Sequence, residues 1–322
     1  MNDVRRNVVV TGGAGFLGSH VCEQLVRAGD SVICVDNFST GNPDSIAHLL
    51  SHDRFHVVKQ DICTGIDIDG PVDAIVHLAS PASPQDYLRL PVATLRVGSA
   101  GTLAALELAR NSGARIVYAS SSEVYGDPLV HPQHESYWGN VNPLGPRSVY
   151  DEGKRFGEAA VAAYRREYGV DTCVVRLFNT YGPRMRPDDG RMVPNFVLQA
   201  LEGKPLTVYG SGAQTRSLCY VSDTVAALLG ALRSDHPGPM NLGNPAELTV
   251  LSVAELVREL TGSASEIVFR PAMEDDPRLR RPDTTLARQV LGWKPEVPLR
   301  EGLAEVIASF EKLRAARAGT PA

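Results

Sequence analysis

The first 180 or so residues alternate short, β-branched apolar runs with longer stretches whose apolar positions recur at helical spacing. The runs are Val8-Val9-Val10, Val32-Ile33-Cys34-Val35, Val57-Val58, Ala74-Ile75-Val76, Ile116-Val117-Tyr118 and Cys173 to Phe178. Runs of this kind predict strands covered on both faces, and the stretches Ser19–Ala28 and about Tyr150–Tyr168 predict helices between them. Strands and helices in alternation imply an α/β fold, a doubly wound parallel sheet of the Rossmann type. Beyond Asn179 the texture changes to Gly- and Pro-rich loops with short elements, as in Pro187-Asp188-Asp189-Gly190 and Gly210-Ser211-Gly212. The expected division is a large domain over 1–179, a smaller lobe over 180–213 and 244–318, and a tail at 319–322. A segment near 214–243 should return to the large domain, because Val221 to Leu232 has the length and apolarity of a sheet-packing helix. The alanine-rich stretch after Lys312 is expected to fray.

Composition narrows the partners. The chain has 322 residues, 43% of them hydrophobic, and a formal net charge of −5, so it can bury a sizeable core and offers no basic footprint for nucleic acid. Any bound anion must be met by local cations. The cysteines Cys22, Cys34, Cys63, Cys173 and Cys219 form no Cys-x-x-Cys pair and read as thiols of a reducing compartment. No apolar run approaches a membrane span of about 18 residues, and the first strand begins by Val8, too early to follow a signal peptide. A cytoplasmic protein without membrane contact is the expectation.

Thr11-Gly12-Gly13-Ala14-Gly15-Phe16-Leu17-Gly18 follows the first strand and opens a helix, the context that makes a glycine pattern a dinucleotide fingerprint. Glycines let backbone approach a pyrophosphate, and the helix start offers free N–H groups to it. Asp36 ends the second strand, where a carboxylate accepts both ribose hydroxyls and repels a 2′-phosphate, so NAD is favoured over NADP. Asn37, Ser39, Thr40 and Gly41 are expected around the adenosine ribose, and Asp61 and Ile62 beside the adenine. His77-Leu78-Ala79-Ser80 ends the fourth strand, and Leu78, Ala79 and Ser80 are expected to line the cofactor while His77 is a satisfied core histidine. The remaining histidines lack metal-ligand spacing, so no metal is expected.

Tyr150 and Lys154, four apart on a predicted helix, share a face and can form a proton-transfer unit in which the ammonium favours the phenolate. Taken with the glycine motif, Asp36 and Ser120-Ser121-Ser122 after the fifth strand, they make the chain resemble the extended short-chain dehydrogenase/reductase family of nucleotide-sugar enzymes. Further runs are similar to the branch that decarboxylates UDP-glucuronate: His77 to Pro84, Ser122 to Pro128, Tyr137 to Pro143, Phe178 to Met185 and Gln214-Thr215-Arg216. The likeness extends from about Val8 to about Phe310.

What the resemblance implies is a redox-neutral conversion of UDP-glucuronate to UDP-xylose: NAD takes a hydride from the sugar C4, the keto acid loses CO2, and the hydride returns. Tyr150 would be the base and later the acid at O4, Lys154 would lower its pKa and hold the nicotinamide ribose, and Ser121 would bridge Tyr150 and O4. Arg280 would bind the sugar carboxylate, and Glu123 would be protonated or handle a proton at C5. Ser122 belongs to the same substrate face, with Tyr87 and Arg96 at the sugar; Asn179, Arg191 and Arg216 would meet the UDP group, with Tyr209 near the uracil. Two positions depart from the family. Arg96 stands for a usual lysine, and Gly98 for a usual asparagine, which should loosen a helix start near Lys154. Rival readings are a 4,6-dehydratase, for which Ser122 is a poor acid, a 4-epimerase, which needs neither Glu123 nor Arg280, and a silent NAD-binding sensor. The family commonly dimerises through the Tyr150 helix, where Ala159, Ala160, Ala162 and Ala163 would admit another helix, so a homodimer is expected.

Overall fold

Residue alternation along the first strand sets the layers. In the computed structural model, which describes residues 5–272 and 275–318, Val8 and Val10 enter the core on one face of the sheet and Val9 the core on the other. Strand β1 (Asn7–Thr11) leads through α1 (Phe16–Arg27) to β2 (Ser31–Asp36), β3 (Phe55–Lys59) and β4 (Ala74–His77). Three helical segments, α2 (Pro84–Arg89), α3 (Pro91–Arg96) and α4 (Thr102–Ser112), precede β5 (Arg115–Ser121), α5 (Ser148–Tyr168) and β6 (Thr172–Leu177). The remainder runs β7 (Thr180–Tyr181), α6 (Met192–Leu201), β8 (Leu206–Tyr209), β9 (Thr215–Arg216), β10 (Cys219–Tyr220), α7 (Val221–Arg233) and β11 (Met240–Leu242). It ends with β12 (Leu248–Thr249), α8 (Val250–Thr261), β13 (Ile267–Arg270), α9 (Thr285–Leu291) and α10 (Leu299–Ala318).

The main sheet is parallel throughout, in the order β11-β6-β5-β4-β1-β2-β3. The direction of winding reverses between β1 and β4, so a crevice opens at the carboxyl ends of these strands, where such sheets take ligands. Helices α1 and α7 cover one face, α4 and α5 the other. A second apolar core, with Phe196, Val208, Val253, Ile307 and Phe310, gathers α6, α8, α10 and β8 over the crevice.

Three sequence expectations change. The edge strand β11 has no apolar run because its middle residue, Asn241, is a buried hub: it accepts from Tyr125 Oη at 2.7 Å and donates to Gln133 O and Asp283 O at 3.0 and 3.1 Å. The alanine-rich stretch after Lys312 does not fray but continues α10 to Ala318, since alanine favours helix and Leu303, Val306 and Phe310 anchor the preceding turns; the expected tail at 319–322 lies outside the described residues. An apolar run long enough to span a membrane does exist, for α3, a π turn (Val97–Gly101) and α4 join into one helical stretch, Pro91–Ser112, of mean hydropathy 1.2. It packs on α5 with Thr94, Leu106 and Ala109 buried, leaving Val92, Leu95 and Leu103 exposed. Gly98 therefore sits inside a continuous helical run rather than at a helix start. A Cβ there would lie 3.0 Å from Gly153 Cα, so its absence lets the π turn approach α5 one residue before Lys154.

A largely buried ion pair fastens α5 to the sheet. Arg176 on β6 donates from Nε and Nη2 to Glu158 at 2.9 and 2.7 Å, and Ser120 Oγ on β5 donates to the same carboxylate at 2.5 Å. Removing one member leaves the other charge unpaired. Glu158→Ala is expected to lower the unfolding free energy by about 3 kcal/mol, measured by urea denaturation; a loss below about 1 kcal/mol would show that the pair does not anchor the helix.

Candidate active site

A cavity of about 520 Å3 runs along the carboxyl edge of the sheet and under the second core. At its floor the glycine loop turns with Gly12 at φ 71°, held by its N–H to Val35 O at 2.8 Å. A Cβ on Gly12 would stand 2.8 Å from the Ala79 backbone, and one on Gly18 only 2.1 Å from Gly12 O, so both positions exclude side chains. Gly15 caps α1 without a side-chain bond, leaving the first-turn N–H groups of Phe16, Leu17 and Gly18 toward the cavity. Asp36 accepts from Ala14 N at 3.0 Å and Phe38 N at 2.8 Å; burial pushes its pKa up and these two bonds oppose the shift. A buried carboxylate with only backbone partners, beside a cradle too tight for any Cβ, fits the ribose and pyrophosphate of NAD. Asn37, Ser39, Thr40, Gly41, Asp61, Ile62, Leu78, Ala79 and Ser80 line the same end. His77 is a core histidine as expected, bonded to Thr11 Oγ1 at 2.7 Å and Thr102 Oγ1 at 3.2 Å, with burial pushing its pKa down to about 3.

Tyr150 and Lys154 lie at the middle of the cavity on the first turns of α5. Tyr87 from α2 stacks on the Tyr150 ring at 5.3 Å, and its own buried hydroxyl has no hydrogen-bond partner. Lys154 Nζ donates to Ala119 O at 2.8 Å and stands 5.7 Å from the Tyr150 ring centre. Burial pushes Tyr150 up to about 12 and Lys154 down to about 8, and the groups that draw Tyr150 back are the Ser121 hydroxyl and then the Arg191 charge. In this arrangement burial keeps the phenol neutral, and Lys154 Nζ is bonded to a carbonyl rather than to the phenol oxygen.

At the far end β5 gives way to a turn capped by Ser121, whose Oγ accepts from Glu123 N at 3.2 Å. Glu123 meets two guanidinium groups. Arg280 donates to its Oε1 and Oε2 at 3.0 and 3.2 Å, and Arg147 donates to Oε2 at 2.8 Å. Burial would raise the carboxyl pKa, but the charges of Arg280 and Arg147 prevail and hold it far below the usual range. Of the two expectations for Glu123, a protonated acid or a group that handles a proton at C5, the first is corrected: one buried and one half-buried cation hold it as a carboxylate. Arg280, 2% exposed, also donates to Ser122 Oγ at 2.7 Å and Gly126 O at 3.2 Å.

Asn179, Arg191, Tyr209 and Arg216 line the cavity beneath the second core. Asn179 Oδ1 is buried and unpartnered. Arg191 is paired with Asp189 at 2.7 Å, and Arg216 with Asp276 at 2.7 Å. Arg96 stands apart. It is exposed at the end of α3, and its charge acts on Cys63, which places it on the Asp61 and Ile62 side rather than beside Arg280. Sequence reasoning missed Arg147, Asp151 and Asp276. A cation at the start of a helix opposes the helix dipole, so Arg147 three residues before Tyr150 was a legible sign of a nearby acid. Asp151 carried no such sign: its pKa is pushed up to about 8 by burial and then by the Glu123 charge, and its Oδ1 has no partner.

A fingerprint for a dinucleotide, a Ser-Tyr-Lys group and arginines along one cavity define an NAD-dependent nucleotide-sugar enzyme of the extended short-chain dehydrogenase/reductase type. Residues 8–243 match the NAD dependent epimerase/dehydratase family, and the chain belongs to it. Among curated relatives, UDP-glucuronic acid decarboxylase 1 of Danio rerio is 50% identical over 96% of this chain and 73% of its own length. UDP-glucuronic acid decarboxylase 1 of Arabidopsis thaliana is 51% identical over 95% of this chain and 70% of its own. Among solved structures, UDP-glucose 4-epimerase of Thermotoga maritima with UDP-glucose is similar at a TM-score of 0.87 and 31% identity, covering 96% of this chain and 99% of that one.

The Lys154 shift has a sign. With a folded-state pKa near 8 against 10.5 unfolded, the unfolded chain holds more protons between these values, so stability rises with pH across that window and the penalty is full below pH 8. Lys154→Met should remove this slope, so that its stability relative to wild type declines by about 1–3 kcal/mol from pH 8 to 10.5; parallel denaturant titrations that differ by a constant would refute it.

Proposed function

We propose that this chain decarboxylates UDP-glucuronate to UDP-xylose. The observation that carries the reading is the Arg280 guanidinium, buried at the end of the cavity where Ser121 and Tyr150 also face. The two decarboxylases at about half identity support it.

Bound along the glycine loop and Asp36, NAD supplies the acceptor and later the donor of one hydride. The protein does the rest. Tyr150, once ionised beside the positively charged nicotinamide ring, takes the O4 proton as a phenolate, with Ser121 bonded to both oxygens, as the C4–H bond breaks. The sugar carboxylate pairs with Arg280, the C5–C6 bond breaks to release CO2, and its electron pair moves toward the C4 oxygen, where an enolate forms. C5 takes up a proton from solvent, C4 regains its hydride and Tyr150 returns the proton to O4. Lys154 keeps the backbone of β5 and α5 in register through Ala119 O. Asn179, Arg191 and Arg216 hold the UDP group and Tyr209 the uracil, while Tyr87, stacked on Tyr150, lies at the sugar. Arg96 serves the cofactor end.

A 4,6-dehydratase would need an acid where Ser122 stands, and that hydroxyl already accepts from Arg280. A 4-epimerase must let its ketone turn, which a buried Arg280 opposes. The same reading includes a cytoplasmic location, supported by five free thiols, and a homodimer through α5, the Tyr150 helix. Leu95 on α3 and Ser99 in the π turn line a shallow groove with Phe156 and Ala159 on α5, and Leu95 and Phe156 are each 42% exposed.

Purified protein should convert UDP-glucuronate to CO2 and UDP-xylose with no net NADH, read by mass and NMR; recovery of unchanged substrate in the presence of NAD would refute the reading. Tyr150→Phe should lose at least about 100-fold in rate and form no keto sugar. Arg280→Ala should lose a similar factor, and full activity would remove it from the site. Phe156→Glu should elute as a monomer in gel filtration if α5 forms the interface; an unchanged elution volume places the interface elsewhere.

A further inference from the structure

The far wall of the cavity carries a row of alternating charges contributed by distant parts of the chain. Arg280 pairs with Glu123 at 3.0 Å, Glu123 with Arg147 at 2.8 Å, Arg147 with Asp276 at 3.9 Å and Asp276 with Arg216 at 2.7 Å. The row holds three cations and two carboxylates. Only the middle cation touches both carboxylates, and its side chain is 13% exposed.

The two end arginines are those assigned to substrate, so the argument rests on the proposed function. A uronate claiming Arg280 and a diphosphate claiming Arg216 would each draw a cation away from a carboxylate. Glu123 and Asp276 would then face added negative charge with a single cation in common. We propose that Arg147 is a positioning residue that keeps Glu123 ionised, and both Glu123 and Asp276 in place, while the two anionic ends of the substrate occupy Arg280 and Arg216.

The surroundings leave it no substitute. From α5, Tyr150 and Asp151 face Glu123, and both interact unfavourably with its charge. Tyr87 from α2 is likewise opposed to it, while Arg216 acts on Glu123 only through space. Arg147 therefore remains the contacting cation once Arg280 is shared. Its location at the N-terminus of α5, where the helix dipole disfavours a cation, is offset by these two acids. Without Arg147, the binding of a uronate would be accompanied by proton uptake at Glu123.

Proton uptake is measured by calorimetric titration of UDP-glucuronate into the NADH-loaded protein, which cannot oxidise substrate, at pH 6 in buffers of different ionisation enthalpy. Wild type is expected to take up no proton, Arg147→Met about one per site, and Arg147→Lys, which keeps the charge, close to none. Arg147→Gln serves as a second neutral variant should the methionine variant not fold. In Arg147→Met/Glu123→Gln the uptake should vanish. The turnover rate of Arg147→Met relative to wild type should fall about tenfold per pH unit on the acid side, while its affinity for UDP-glucuronate improves. Uptake by the neutral variants equal to wild type, or uptake that persists without Glu123, would overturn the proposal. Failure of wild type to release CO2 would instead refute the functional reading, and the calorimetric result would still decide the role of Arg147.

Discussion

Glu123 is where the architecture of this protein closes on itself. It follows the end of β5, it is held by Arg147 at the start of α5, and it is held again by Arg280 from the segment between β13 and α9. A buried carboxylate would be costly alone, so the turn after β5, the catalytic helix and the late segment must arrive together for any of them to be stable there. The ion pair that crosses from sheet to lobe also shapes one end of the cavity. The wall of the cavity and the link between sheet and lobe thus share the same side chains.

The middle of the cavity is governed by desolvation rather than by direct pairing. Tyr150 is kept a neutral phenol, and Lys154 is made easier to deprotonate, by the same burial. Both shifts favour the uncharged form, and both are of the kind that an incoming positive charge on the ring of an oxidised nicotinamide would alter for the phenol. Lys154 contributes here by tying α5 to Ala119, so its first effect is on position. Gly98 belongs to the same geometry, since its bare Cα allows the π turn to approach Gly153.

Much of the fold was legible because its signals are local. Apolar runs of strand length, one helix after each and a glycine loop at the first junction follow from side-chain period and backbone sterics, which neighbours in sequence determine. β11 was not legible, because Asn241 is polar for a reason located in Gln133, Asp283 and Tyr125. The fate of the alanine-rich end was misread for a similar reason: residues that look ready to fray are held by a face of α10 packed on the second core. Arg96 was assigned by motif to the sugar, and the direction in which α3 ends carries it to the cofactor side.

By itself the sequence determined the winding of the sheet, the place of the cofactor and the Ser121, Tyr150 and Lys154 group, since each rests on short-range pattern: strand, turn and helix in succession, or two residues one helical turn apart. The tertiary structure alone decided the charge states. That Glu123 is a carboxylate, that Asp151 titrates near 8 and that Arg147 stands between two acids depend on burial and on charges contributed from residues 24 to 157 positions away. Electrostatic energy in a protein interior is set by distance and solvent exclusion, and neither is written in the order of residues along a chain.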